Sequence, residues 1–203
     1  MAVLVMFAAV TAGAAPAALR LLATSPAEVR FAVDVPEAKL APLADDPASL
    51  LLSIEGYDPS GAVGAPGLPG RIVLVALPPT GDVRVSAVAS ETSTRQDVLL
   101  APVPGAVRNG EMVSPAYVRS DEAYALRGAP APAWARLIGV GWLRNQRVAR
   151  IQVLPADYDA PARRLTLARK VEVVVAVAPS APVTTPAERI DPFERVYSRL
   201  LVN

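Results

Sequence analysis

The stretch Arg164–Val177 (RLTLARKVEVVVAV) constrains this chain more than any other. Leu165, Leu167, Val171, Val173, Val175 and Val177 recur at every second position, interrupted only by Arg169, with Arg164, Thr166, Lys170 and Glu172 between them. Side chains of a strand point alternately to its two faces, so this pattern, rich in β-branched residues, describes a strand that buries one face. Two extended segments precede it, residues 134–142 and 147–154. The polar turn Arg144-Asn145-Gln146 closes the first, and Pro155, which cannot donate to a sheet ladder, ends the second. Together they predict an antiparallel meander over residues 134–177, and its apolar face needs a second layer to cover it.

Material for that layer lies upstream. Residues 29–35 set Val29, Phe31, Val33 and Val35 against Arg30 and Asp34; residues 83–89 set Val83, Val85, Ala87 and Ala89 against Arg84 and Ser86. Shorter apolar runs at 19–23 and 50–54 predict further strands, and 98–103 an edge segment stopped by Pro102 and Pro104. Residues 71–77 (RIVLVAL) are apolar on both faces, which predicts a central strand, so an Asp at Leu74 is expected to abolish folding. Residues 36–47 and 90–97 read as loops. Gly61, Gly64, Gly67 and Gly70 recur at triplet spacing, but so few triplets cannot hold a collagen helix, and no Lys-Ser or Lys-Thr follows to make a phosphate loop. The stretch predicts a Gly/Pro loop whose Leu68 plugs a sheet edge.

From residue 105 to 133 the periodicity dissolves. A segment of that length without pattern inside a domain points to partner contact as readily as to a solvated loop. It carries Arg108, Arg119 and Arg127, the acidic pair Asp121-Glu122, and Tyr117 and Tyr124.

With 203 residues, 52% of them apolar, the chain can build one large domain with an ample core, and 21 Pro and 12 Gly punctuate it as in short-strand proteins. The expected fold is all-β: an antiparallel β-sandwich, jelly-roll-like, over residues 16–178, followed by a short C-terminal helix. The chain has no Cys and no His. That excludes thiol nucleophiles, Ser-His-Asp chemistry, the usual zinc sites and disulfide scaffolding. The chain is therefore not expected to be an enzyme by itself, nor to hold a metal or cofactor. A net charge of +1 without a basic run argues against a nucleic-acid partner.

The two ends read differently. Residues 1–15 (MAVLVMFAAVTAGAA) pair a short apolar run with small residues, as a signal peptide does, although no Lys or Arg precedes the run. The run is shorter than the roughly 20 residues of a spanning helix, so export without a stable membrane span is expected. Residues 179–190 form a Pro/Ser/Thr linker, and residues 191–203 a helix. Asp191 can cap that helix, Pro192 suits its first position, Glu194 completes the capping box, and Phe193, Val196, Tyr197, Leu200 and Leu201 share one face. Such a face docks on the sandwich or on a missing partner.

Three passages, in this order, resemble one family. They are PGLPGRIVLVALPPTGDVRVSAVAS (66–90), VARIQVLPADYDAPARRLTLARKVEVVVAV (148–177) and FERVYSRLLVN (193–203). The chain resembles the N-terminal pro-region of the gingipain-type cysteine peptidases, the caspase-like family C25. It departs from that pattern at Asp159-Ala160-Pro161, where Asn-Pro is typical, at Arg163, where Gly is common, and at Asn145-Gln146, where Arg-Gly is usual. The resemblance implies a secreted or cell-surface β-sandwich pro-domain that helps the downstream peptidase domain of the same precursor to fold and keeps it latent by covering its active-site cleft. It implies that catalytic Cys and His lie in that following domain, and that a basic pro-domain side chain fills the specificity pocket. Arg108, Arg119 and Arg127 are the candidates for that role, and Arg189 is the candidate processing site.

Two other readings compete. One is a secreted β-sandwich binding or positioning module of a cell-surface protein. The other is a carboxylate hydrolase using two of Asp121, Glu122, Asp157 and Asp159; an aromatic content of 5% is thin for a sugar cleft.

Overall fold

The computed structural model describes residues 18–109, 112–126, 132–178, 197 and 200–203. The expected signal peptide, the linker, Arg127, Arg189 and the cap of the C-terminal helix lie outside the described residues. In chain order the elements are β1 (Leu19–Thr24), β2 (Glu28–Asp34), β3 (Lys39–Pro42), β4 (Leu50–Ser53), β5 (Asp58–Ser60), β6 (Leu68–Leu77) and β7 (Val83–Arg95). There follow β8 (Gly105–Asn109), β9 (Met112–Ala116), α1 (Asp121–Ala125), β10 (Ala135–Leu143), β11 (Gln146–Val153), β12 (Ala156–Asp159) and β13 (Arg164–Val177).

Two antiparallel sheets make the sandwich. In the first, β13 is central: β7 pairs along one side of it, while β12 and β2 share the other, with β1 outside β2. The second runs β10-β11-β6-β5. The main core joins them, Phe31, Val33, Val171, Val173 and Val175 of the first sheet meeting Val73, Val75, Ala149, Ile151 and Val153 of the second. Each is a side chain largely removed from water, worth roughly 1.5–3 kcal/mol for the larger ones.

The alternation along β13 slips once, where Ala168 is buried and Arg169 turns out to solvent. There the chain changes neighbours. Residues 164–167 pair with β12 and pack Leu165 and Leu167 into a second, smaller core with Leu52, Val98, Leu100 and Tyr158; residues 170–176 pair with β2 over the main core. The Arg in the middle of the hydrophobic pattern thus marks the joint between two cores, where the Val35 N–H donates to its carbonyl at 2.8 Å.

Four expectations need correction. The meander is not continuous: β10 and β11 pair as expected, but β13 belongs to the opposite sheet. The chain crosses at Leu154 and the buried Pro155, whose missing N–H frees it from the β11 ladder. Residues 39–42, taken as loop, form β3 against β4, and residues 90–95, taken as loop, continue β7 against β13. Finally, β6 is not buried on both faces. Ile72 is 56% exposed and Leu74 half-buried on its outward side, whereas Val73, Val75 and Leu77 point into the core. An Asp at Leu74 therefore need not abolish folding.

Tyr57 borders the main core at 8% exposed, and its hydroxyl has no hydrogen-bond partner among the described residues. Burial pushes its phenol up from 10.0 to about 12, the Arg71 charge pulling weakly the other way. In the unfolded chain the phenol ionises near its ordinary value, so the stability gained by keeping it neutral is full below pH 10 and is lost as pH rises toward 12. Melting temperature should fall across that window, and less steeply in Tyr57→Phe. Equal slopes in the two proteins would show that this phenol is not the group responsible.

Candidate functional site

Within residues 105–133, which show no periodicity in sequence, the described residues form the paired strands β8 and β9 and the single-turn helix α1. Both rest on the glycine loop. The Gly64 N–H donates to the Val103 carbonyl at 3.0 Å, the Gly67 N–H to the Ala101 carbonyl at 2.9 Å, and the Ser120 N–H back to the Gly64 carbonyl at 2.9 Å. Gly64 has φ +85°, and a Cβ there would lie 3.1 Å from the Val118 carbonyl, so the clasp needs glycine at this position. This loop supports the neighbouring segments rather than plugging an edge; Leu68 itself pairs with Ser60 and packs against the smaller core.

Ser120 starts α1 by accepting from the Ala123 N–H, and Asp121 and Glu122 occupy its first turn. Tyr124 then ties the helix to the body, its hydroxyl donating to the Leu100 carbonyl at 2.6 Å. Tyr158 holds the same strip from beneath, donating to the Val98 carbonyl at 2.7 Å. Burial raises both phenols, Tyr124 to about 12.

The three arginines separate on this scaffold. Arg119 is engaged: its Nε lies 3.7 Å from Asp121 Oδ1, and its guanidinium sits 5.4 Å over the Tyr124 ring. Arg108 stands exposed on β8, opposite Val113 in the hairpin register and hence on the same face, with no ion pair among the described residues. Val113, itself 58% exposed, gives that face an apolar flank. Arg127 lies outside the described residues.

The four candidate carboxylates sit on two elements, α1 and β12. Asp121 and Glu122 are exposed on α1. Asp157 and Asp159 share the outward face of β12, where Asp159 accepts from Arg164 at 3.1 Å. Burial raises the Asp157 carboxyl, with the Arg164 charge opposing. A cleft of about 280 Å³ opens between α1, β5 and β12, lined by Leu68, Leu126, Leu154, Tyr158 and Arg136 among others, with no carboxylate among the described residues that line it. Arg136 is already committed there, donating to Gln152 Oε1 at 2.7 Å. Among the described residues no cluster of acidic groups could hold a metal ion, and no helix is long and apolar enough to cross a membrane.

The chain is 27% identical to Lys-gingipain of Porphyromonas gingivalis over 159 residues, 73% of this chain but 9% of that protein, and 26% identical to the HG66 form over the same extent. It thus spans about a tenth of the length of the curated relatives it matches. Among solved structures it is similar to the complex of the RgpB pro- and mature domains from the same organism, with a TM-score of 0.75 and 20% identity over 91% of this chain and 97% of that one. It is also similar to a structure on the zymogenic latency of gingipain K, with a TM-score of 0.61 and 21% identity over 79% and 92% of the two chains. These likenesses support the sandwich fold. The family model of the C25 propeptide matches residues 16–203, and the chain belongs to that propeptide family.

Proposed function

We propose that this chain is the non-catalytic pro-region of a secreted caspase-like cysteine endopeptidase, which assists folding of the peptidase and keeps it latent by covering the active-site cleft. The observation that carries this reading is the match to the C25 propeptide over residues 16–203, the whole of the sandwich and the C-terminal segment. Residues 1–15 direct export, which puts the protein outside the cell or at its surface. Its partner is the peptidase domain of the same precursor.

Within this role the exposed β8–β9 hairpin is the inhibitory element and Arg108 its basic side chain. A hairpin can enter a cleft as a preformed unit, so little ordering entropy opposes binding. Arg108 is available for a carboxylate in a specificity pocket, whereas Arg119 would first have to leave Asp121 and Tyr124. Arg189 is the processing site.

The purified chain should slow its cognate mature peptidase when added in trans at micromolar concentration, with a peptide substrate as readout. A chain that folds but neither binds the enzyme nor slows it removes the latency role.

A further inference from the structure

The last residues of the chain are built into the second sheet. β5 covers only residues 68–70 of β6, which leaves the rest of that edge open. There the C-terminal segment takes over. Leu201 bridges Leu74 in parallel, and the Val202 N–H donates to the Leu74 carbonyl at 3.0 Å. Asn203 then continues the ladder with its side chain: its Oδ1 accepts from the Ala76 N–H at 2.8 Å and its Nδ2 donates to the Ala76 carbonyl at 3.2 Å. The primary amide thus mimics a further peptide group. Val202 packs against the main core, and the Tyr197 hydroxyl donates to the Leu143 carbonyl at the end of β10, at 3.3 Å. The segment is fastened at both ends, to β10 and to β6, on either side of β11.

We propose that the open edge of β6 is a docking site whose occupant is this chain's own terminal strand, residues 201–203 with Tyr197, and that the occupant stays bound after the chain is cut between residues 179 and 196. None of these contacts depends on covalent continuity with β13. The backbone hydrogen bonds supply attachment, as in strand addition to a sheet edge, and Val202 in the core and the Asn203 amide supply register. A cut at Arg189 is then a nick. The sandwich remains attached to whatever follows Asn203 until the strand is drawn out of the edge. That consequence for latency rests on the pro-region reading, but retention of the strand does not.

The test uses the full chain with a site for a sequence-specific protease inserted between Ala187 and Glu188. After complete cutting, the peptide beginning at Glu188 should coelute with the sandwich on gel filtration at micromolar concentration, identified by mass spectrometry. Val202→Pro removes the N–H that bonds Leu74, and Asn203→Ala removes both bonds to Ala76; each should weaken retention by about fivefold or more per bond lost. Circular dichroism melting of the uncut variants checks that the sandwich is intact. The proposal is overturned if the wild-type peptide separates from the sandwich, or if both variant peptides are retained as firmly as the wild type. Assaying the same nicked chain against the mature peptidase keeps the two readings apart. Retention without inhibition sinks the pro-region reading and leaves the docking edge standing.

Discussion

Val173→Asp is expected to leave a chain with no cooperative melting transition. Val173 is fully buried on β13, with Phe31 of β2 on one side in register and Ala87 of β7 on the other. A carboxylate there meets aliphatic neighbours and no cation within the core cluster. The effective penalty for burying an unpaired ion is several kcal/mol, and losing the valine adds about 2 kcal/mol, against a total stability of about 5–15 kcal/mol for a domain of this kind. Val173→Ala, which loses only the packing, should melt cooperatively at a lower temperature. Circular dichroism with urea titration separates the two. If Val173→Asp stays soluble and melts cooperatively, β13 is not the centre of the first sheet.

Arg108→Ala should weaken inhibition of the cognate peptidase by about 30-fold or more, the scale of a residue that anchors an interface. It should leave melting unchanged, since the side chain is exposed and makes no ion pair among the described residues. Arg119→Ala is the matched control. Its guanidinium lies over Tyr124 beside Asp121, so its loss should act on the local fold of α1 more than on inhibition. Inhibition constants for both variants, measured on one preparation of mature enzyme, decide the matter. Equal constants for Arg108→Ala and wild type would remove Arg108 from the cleft.

Hydropathy periodicity identified β2 and β13 with their buried faces because both strands have one wet side and one dry side over most of their length. It could not identify sheet membership. Alternation reports which face is buried and carries no record of the neighbouring strand, so β13 was joined to β11 when its partners are β2, β7 and β12. Residues 90–95 were missed for a related reason. Beyond Ala89 the side chains of β7 are exposed on both faces, and the strand continues past Glu91, at φ 55°, on its ladder to β13. The family resemblance came from short ordered passages, and the propeptide match over residues 16–203 bears it out.

The candidate site was less accessible to sequence. The stretch containing Arg108 and Arg119 shows no periodicity because its hairpin is exposed and its helix is a single turn. One local signal was present in the sequence: the dipeptide Asn109-Gly110, a pair that favours hairpin turns, and Asn109 does pair with Met112. Nothing in the sequence could have told the two arginines apart. That distinction depends on where Tyr124 is tied down, and Leu100, which ties it, is 24 residues away.

The position of β13 also sets a timetable for synthesis. β2, β7 and β12 all find their ladder partner in the last strand of the sandwich, so none of these pairings in the first sheet can form while the ribosome is still making residues 164–177. Until then the nascent chain carries β7 and β12 without a ladder partner in that sheet, and β2 with β1 alone. It then closes them in one late step dominated by contacts distant in sequence, the slow regime for two-state folding.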